Sequence, residues 1–179
     1  MKGSQNLYLI GPMGSGKTAV GKQLARLLRL PFFDSDSEIE RSTNADIPLI
    51  FEREGEDGFR RRERDMIALL TQRDGIVLAT GGGAVLSEAS RELLAARGWV
   101  AFLETSVEQQ AARAGRTRQR PLLNGHDPRE RLRQLWGIRE PLYRSIADFT
   151  ICTDNRRVGA VADAIAAAFR DSQAAARAV

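Results

Sequence analysis

Residues 11–18 read Gly-Pro-Met-Gly-Ser-Gly-Lys-Thr: a glycine, four residues, then Gly-Lys-Thr. The apolar run Leu7-Tyr8-Leu9-Ile10 precedes it, and a segment with helical periodicity follows. Strand, glycine loop and helix in that order are the setting in which this pattern binds phosphate. Glycines let successive backbone N–H groups converge on an anion with no Cβ in the way. The helix beginning near Gly16 aims its positive dipole end at the same point. Lys17 has the reach for β- and γ-phosphates, and the Thr18 hydroxyl suits Mg²⁺. Gly14, Ser15, Gly16, Lys17, Thr18 and Ala19 therefore form the expected nucleotide-phosphate site, with Thr18 rather than Ser15 as the metal ligand. A glycine-rich turn that merely precedes Lys-Thr would not need the flanking strand and helix.

The rest of the chain decides what such a loop serves. A chain of 179 residues with 42% hydrophobic and 28% charged residues suits one globular domain spanning 1–179. No apolar stretch reaches the length of a membrane span, so no membrane partner is expected. The first strand follows Met1-Lys2-Gly3 so soon that no signal peptide fits, which makes the cytoplasm the expected compartment. The single cysteine, Cys152, excludes an internal disulfide. Its place in Phe149-Thr150-Ile151-Cys152 predicts a buried strand thiol. The formal charge is +4, carried almost wholly by arginine, since the only lysines are Lys2, Lys17 and Lys22. Arginine suits planar carboxylates and phosphates, but composition alone leaves an anionic small molecule, a nucleic acid and a solvated helix surface all open.

Apolar runs alternate with helical patterns along the whole chain, which predicts an α/β fold with a mainly parallel sheet. Strands are expected at 7–10, 31–34, 76–79, 99–103 and 149–152. Val20, Leu24, Leu27 and Leu28 share one face of the first helix, which stops before Pro31. Ser37 and Glu40 have the spacing of a capping box opening the next helix. Pro48 suits the first turn of another, broken at Gly55. Phe59, Glu63, Met66, Ile67 and Leu70 form a helical stripe with one charged member. A helix over 88–96 ends at Gly98, and Ser106 with Gln109 caps the one that follows. From Arg113 to His126 periodicity vanishes, which predicts a mobile lid over 113–126. Asp127-Pro128 opens a helix to about Tyr143. The last helix is expected over 158–170, with a frayed tail at 171–179. His126 reads as a surface residue.

Four features carry chemistry. Asp34-Ser35-Asp36 ends the second strand, at the sheet edge where ligands of open α/β folds sit. One carboxylate there can hold Mg²⁺ and the other can accept a hydroxyl proton, although both could instead cap the next helix. In Phe59-Arg60-Arg61-Arg62-Glu63, Arg60 borders the apolar stripe and can reach a cleft, whereas Arg61, Arg62 and Arg64 face water. Glu63 on that stripe needs a cationic partner, Arg60 or another guanidinium. Gly81-Gly82-Gly83 costs chain entropy that makes sense where a ligand meets backbone, with a simple turn as the other reading. Arg113, Arg116, Arg118 and Arg120 lie in the expected lid. Phosphoryl transfer must exclude water, and a closing lid with an arginine does so while meeting the transferring group.

In this order, Gly-Pro-Met-Gly-Ser-Gly-Lys-Thr, Phe-Phe-Asp-Ser-Asp, Gly-Phe-Arg-Arg-Arg-Glu, Ala-Thr-Gly-Gly-Gly, Arg-Pro-Leu-Leu and Arg-Glu-Pro-Leu-Tyr resemble the shikimate kinases. The resemblance runs from about residue 6 to 170. It implies a P-loop, nucleoside-monophosphate-kinase-like fold with a five-stranded parallel sheet and a mobile lid. It implies transfer of the ATP γ-phosphate to the 3-hydroxyl of shikimate, on the route to chorismate and the aromatic amino acids. By that resemblance Asp34 helps place Mg²⁺, and Asp36 bonds the acceptor hydroxyl as candidate base. Arg60 and Arg139 bind the carboxylate, Phe51 and Phe59 pack the ring, and Gly81, Gly82 and Gly83 lie against the substrate. Glu63 holds the arginines, and Arg120 is the lid arginine that meets both substrate and phosphates. Arg113 lies over the adenine, with Arg156 in the 154–157 loop on its other side. ATP and shikimate are then the partners, and a monomer that binds neither nucleic acid nor membrane is expected.

Gluconate is also a hydroxylated carboxylate, so a gluconate kinase is the nearest alternative. The Asp34–Asp36 pair with Arg60, Arg139 and the triple glycine argues against it. A nucleotide acceptor would need a base-reading pocket of aromatic and amide groups, and none is evident. An arginine-rich nucleic-acid-binding ATPase would cluster its basic charge among stacking aromatics. Here the arginines are spread among acids and aromatics are 6% of the chain. Lys17→Met is expected to abolish phosphoryl transfer with the fold intact. Turnover together with circular dichroism checks this, and near-normal turnover would refute the assignment of the loop.

Overall fold

The computed structural model describes residues 5–114 and 127–178. Five strands form one parallel sheet in the order β2-β3-β1-β4-β5: β1 Leu7–Ile10, β2 Phe32–Asp34, β3 Val77–Ala79, β4 Trp99–Glu104 and β5 Phe149–Cys152. Seven α-helices lie among the described residues: α1 Lys17–Leu28, α2 Ser35–Thr43, α3 Ile47–Leu70, α4 Glu88–Arg97, α5 Val107–Ala114, α6 Pro128–Ile146 and α7 Val158–Arg177. None of the described helices is long and apolar enough to cross a membrane.

Strand periodicity divides the core into two layers. Leu7 and Leu9 point to one face of the sheet and pack with Val20 and Leu24 of α1 and Val161, Ile165 and Phe169 of α7. Tyr8 and Ile10 point to the other, against Ile67 and Leu70 of α3, Leu94 of α4 and Tyr143 of α6. A third, smaller cluster of Ile39, Ile50 and Phe59 joins α2 to α3. The register places Asp34, Ala79 and Leu9 level across β2, β3 and β1. The segments leaving those three strands therefore emerge side by side at the carboxyl edge of the sheet.

Several local expectations need correction. The cap of α2 is Asp34, whose Oδ1 accepts from the backbone N–H of Asp36 at 3.1 Å and of Ser37 at 3.4 Å. Ser37 lies inside the helix, and Glu40 Oε1 instead accepts from Ile47 N at 3.0 Å, tying the end of α2 to the start of α3. Cys152 is exposed rather than buried. Strand β5 is an edge strand with Phe149 and Ile151 turned to the core, and the alternate face carrying Thr150 and Cys152 is uncovered. Helix α7 runs on to Arg177, because Ala174, Ala175 and Ala176 are strong helix formers. Other expectations hold: Gly55 (φ 69°) kinks α3, Ser106 Oγ caps Gln109 N at 3.2 Å, and Asp127 caps α6.

At the amino edge of the sheet, Asn6 is 1% exposed. Its Nδ2 reaches the Arg73 carbonyl at 2.8 Å, the Tyr8 hydroxyl at 2.9 Å and the Arg97 carbonyl at 3.2 Å. Its Oδ1 accepts from Ile76 N at 3.1 Å. One amide thus joins the segments entering β1, β3 and β4. Asn6→Ala strands these buried groups and is expected to cost about 2–3 kcal/mol in urea unfolding; a loss below about 0.5 kcal/mol would show that water replaces the amide.

Candidate active site

The glycine loop follows β1 directly. Gly14 (φ 77°) and Gly16 (φ 92°) hold conformations that side chains disfavour, and they curl the loop over the start of α1. Lys17 Nζ lies back over the loop, donating to the carbonyls of Gly11 at 2.7 Å and Pro12 at 2.8 Å, with Ser15 Oγ at 3.4 Å. Ser15 is buried beneath it. Thr18 Oγ1 donates to Asp34 Oδ2 at 2.7 Å. Asp34 therefore does both things the sequence left open: Oδ1 caps α2 while Oδ2 faces the phosphate loop.

Across the cavity the site is built from charged groups packed against Gly81 and Gly83. Glu63 is 2% exposed. Its Oε2 accepts from Arg60 Nη1 at 2.6 Å, and its buried Oε1 has no partner. A Cβ on Gly81 would overlap Glu63 Oε1 and Asp36 Oδ1, and one on Gly83 would overlap the Arg60 guanidinium. Neither glycine has a positive φ, so what glycine provides here is space. The triple glycine first accommodates the protein's own charged side chains, and then leaves backbone facing the cavity. Tyr143, fully buried, donates its hydroxyl to the Gly82 carbonyl at 2.5 Å and pins the middle of the run. Ser35 Oγ accepts from Gly81 N at 2.9 Å.

The electrostatics follow from this crowding. Asp36 Oδ1 is buried without a hydrogen-bond partner. Burial, reinforced by the charges of Glu63 and Asp34 and opposed by Lys17 and Arg60, pushes its carboxyl up to about 7. Burial also pushes Glu63 up, while Arg60 and Arg139 pull it back. Burial alone would lower Arg60, but Glu63 and Glu56 outweigh it and hold the guanidinium above its usual range. Arg60 Nη1 and Glu63 Oε2 meet at 2.6 Å as a salt bridge. Arg139, on α6, is 4% exposed and has an unpartnered buried Nε. Burial holds its guanidinium below the usual range. Phe51 and Phe59 meet with ring centroids 4.8 Å apart and planes tilted by 34°, and the Arg60 Cζ lies 5.3 Å from the centre of the Phe59 ring.

These elements enclose one cavity of about 480 Å³. Gly14, Gly16, Lys17, Thr18, Ala19 and Asp34 line one end. Asp36, Phe51, Phe59, Arg60, Gly81, Gly82, Gly83 and Arg139 line the rest. Arg113 and Arg156 do not line it. Arg113, near the end of α5, donates Nη1 to the Gly14 carbonyl at 2.6 Å, and Arg156 is exposed in the turn after β5. In that turn Asp154 accepts from Thr105 Oγ1 at 2.5 Å and from Ser106 N at 3.1 Å. Burial opposes its ionisation, but hydrogen bonds from Ser106 and Thr105 and the charge of Arg113 bring its carboxyl below the usual range. Arg116, Arg118, Arg120 and His126, and with them most of the expected lid, lie outside the described residues.

Sequence reasoning missed Met13, Glu40, Ile47, Pro48 and Thr80 in the cavity wall. Glu40 was within reach, because it stands one helical turn after Asp36. Tyr143 and Ser35 carried no signal, since their partners are distant backbone groups. The Thr18 Oγ1–Asp34 Oδ2 edge suits a hard divalent cation such as Mg²⁺, which takes few protein oxygens and completes its shell with water and phosphate. No group of three or more His, Cys, Asp or Glu side chains able to hold a metal is found among the described residues.

A glycine phosphate loop at the carboxyl edge of a parallel sheet, opening on a cavity with two guanidiniums and an unpartnered carboxylate, defines a P-loop small-molecule kinase. Residues 13–170 match the family model for shikimate kinase. The chain belongs to the shikimate kinase family. It is 57% identical over 152 residues to the shikimate kinase of Pseudomonas syringae pv. tomato, covering 85% of this chain and 88% of that one. It is 51% identical over 165 residues to that of Alteromonas mediterranea, covering 92% and 96%. Shikimate kinase from Acinetobacter baumannii in complex with shikimate superposes with a TM-score of 0.91 at 49% identity, covering 94% of each chain. A gluconokinase from Sinorhizobium meliloti superposes at a TM-score of 0.64 with 15% identity, a likeness of fold alone.

A raised carboxyl has a defined consequence for stability. Asp36 holds its proton in the fold to about pH 7 but loses it near 3.8 in the unfolded chain. Its stabilising contribution is therefore complete below about pH 4 and is lost as pH rises through 7. Asp36→Asn cannot ionise, so its stability relative to the parent should improve by about 1–3 kcal/mol between pH 5 and pH 8 in urea unfolding of the ligand-free protein. A difference constant with pH would show that Asp36 is not perturbed.

Proposed function

We propose that this protein transfers the γ-phosphoryl group of ATP to the 3-hydroxyl of shikimate, giving shikimate 3-phosphate and ADP. The observation that carries the reading is a spatial arrangement. Arg60 and the buried Arg139, whose Nε has no partner, stand at one side of the cavity, Lys17 and Thr18 at the other, with Asp36 between them. Shikimate matches this arrangement as a hydroxylated ring with one carboxylate. Two guanidiniums accept that carboxylate, and each charged hydrogen bond contributes about 1.5–3 kcal/mol. Phe51 and Phe59 face the ring. Family membership and the likeness to a relative solved with shikimate support the same acceptor.

The chemistry follows from position. Asp36 Oδ1 accepts a hydrogen bond from the 3-hydroxyl and takes its proton as the oxygen attacks the γ-phosphorus. The new O–P bond forms as the bond from γ-phosphorus to the β–γ bridging oxygen breaks, and the electron pair leaves on ADP. Lys17 moves from the loop carbonyls onto the β- and γ-phosphates and offsets the charge developing there. Thr18 and Asp34 would hold Mg²⁺, which would supply positive charge to offset that of the phosphates. Arg120 completes the assignment as the lid arginine, and Arg113 and Arg156 belong to the adenine side. The working unit in this reading is a monomer, and the single cysteine suits the reducing cytoplasm.

A coupled ADP-release assay with shikimate, quinate, gluconate and nucleoside monophosphates tests the reading. Shikimate should be strongly preferred, and turnover with gluconate in its place would overturn it. Arg139→Ala should raise the KM for shikimate by about 10- to 150-fold, the equivalent of one charged hydrogen bond, with the KM for ATP little changed. A shift confined to ATP would move Arg139 to the nucleotide side.

A further inference from the structure

Arg60 carries more carboxylates than the proposed reaction uses. Its Nη1 is taken by Glu63 Oε2 at 2.6 Å. Its other edge, Nε and Nη2, is taken by a single oxygen, Glu56 Oε1, at 3.3 and 3.0 Å. A guanidinium has five N–H groups, and the Nε–Nη2 edge is one of the two that receive a carboxylate in bidentate fashion. In the ligand-free protein that edge belongs to Glu56.

The two carboxylates differ in how firmly they hold. Glu63 is buried at 3% side-chain exposure with a short contact, whereas Glu56 is 47% exposed with a longer, shared one. Glu56 also directly follows Gly55, the non-helical hinge in α3 (φ 69°, ψ −178°), whose surroundings are open. It is therefore the partner that can leave, both because water can take its place and because the backbone next to it can turn. The charge balance favours that departure. Among the described residues around Arg60, its guanidinium and that of Arg139 already face the carboxylates of Glu56 and Glu63, with Asp36 close by. An acceptor carboxylate then arrives as a further negative group sharing the same two guanidiniums.

We propose that Glu56 is an internal carboxylate that competes with the acceptor's carboxylate for Arg60 and so sets how tightly the acceptor binds. This rests on shikimate being the acceptor. Glu56 acts through Arg60 and does not touch the reacting atoms. Its charge opposes both a bound monocarboxylate and the phosphorylated product, which carries more negative charge still. In this role it favours turnover over retention of product.

The test compares the parent enzyme with Glu56→Gln and Glu54→Gln in steady-state kinetics and in calorimetric binding of shikimate and of its methyl ester. Glu54 pairs with Arg62, away from the cavity, and serves as the control. Glu56→Gln is expected to lower the KM and Kd for shikimate about two- to fivefold, the range of one exposed ion pair, with kcat unchanged or lower. Binding of the methyl ester and all constants of Glu54→Gln should stay at parent values. A KM that rises or does not move in Glu56→Gln overturns the proposal, as does equal tightening of ester and acid. Failure of the acceptor reading itself would show in the parent, as no turnover with shikimate, whereas failure of the Glu56 proposal would show only in the ratio of variant to parent.

Discussion

The ion pair between Arg60 and Glu63 is the contact on which the acceptor side of this protein depends. A carboxylate at 2% exposure is costly unless a cation meets it with good geometry. Arg60 meets it at 2.6 Å from the next turn of the same helix. The pair then dictates its surroundings. The β3 turn must present Gly81 and Gly83, because a Cβ at either would strike one of the two partners. Packing α3 against that turn brings the guanidinium to the cavity wall, and the kink at Gly55 lets the first part of α3 fold over the cavity with Phe51.

The cavity is polar at both ends for different reasons. At the glycine loop, Lys17 rests on carbonyls of its own loop. At the acceptor end, unpartnered buried atoms remain: Asp36 Oδ1, Glu63 Oε1 and Arg139 Nε. Such groups destabilise a fold, and they concentrate where a ligand would satisfy them. The raised Asp36 carboxyl has the same origin. Withdrawal from water and neighbouring negative charge make it hold its proton more tightly and make the ligand-free fold less stable at neutral pH.

The carboxyl edge of the sheet delivers these residues to one place. Because β1, β2 and β3 run parallel with Leu9, Asp34 and Ala79 in register, the glycine loop, Asp34–Asp36 and Thr80–Gly83 leave at the same height. Tyr143 fastens the third of these segments to α6, which also carries Arg139. At the opposite edge of the sheet Asn6 joins three chain segments. The sheet is thus tied by polar side chains at its amino edge and left open for chemistry at its carboxyl edge.

Much of this was legible in the residues alone. Alternating apolar runs and helical stripes gave all five strands, and the spacing of glycines before Lys17-Thr18 gave the phosphate loop, because both signals are local in sequence. Glu63 was legible as a misplaced charge on an apolar stripe, and its partner followed from one helical turn. The exposure of Cys152 was not legible, because only the strand order makes β5 an edge with one uncovered face. Nor were the hydroxyl of Tyr143 on Gly82 or the second carboxylate on Arg60, since each depends on which segments meet or how a helix bends. Local periodicity and turn chemistry determine which elements form. Which charged group ends up beside which, and how much water is left between them, is decided only when those elements pack.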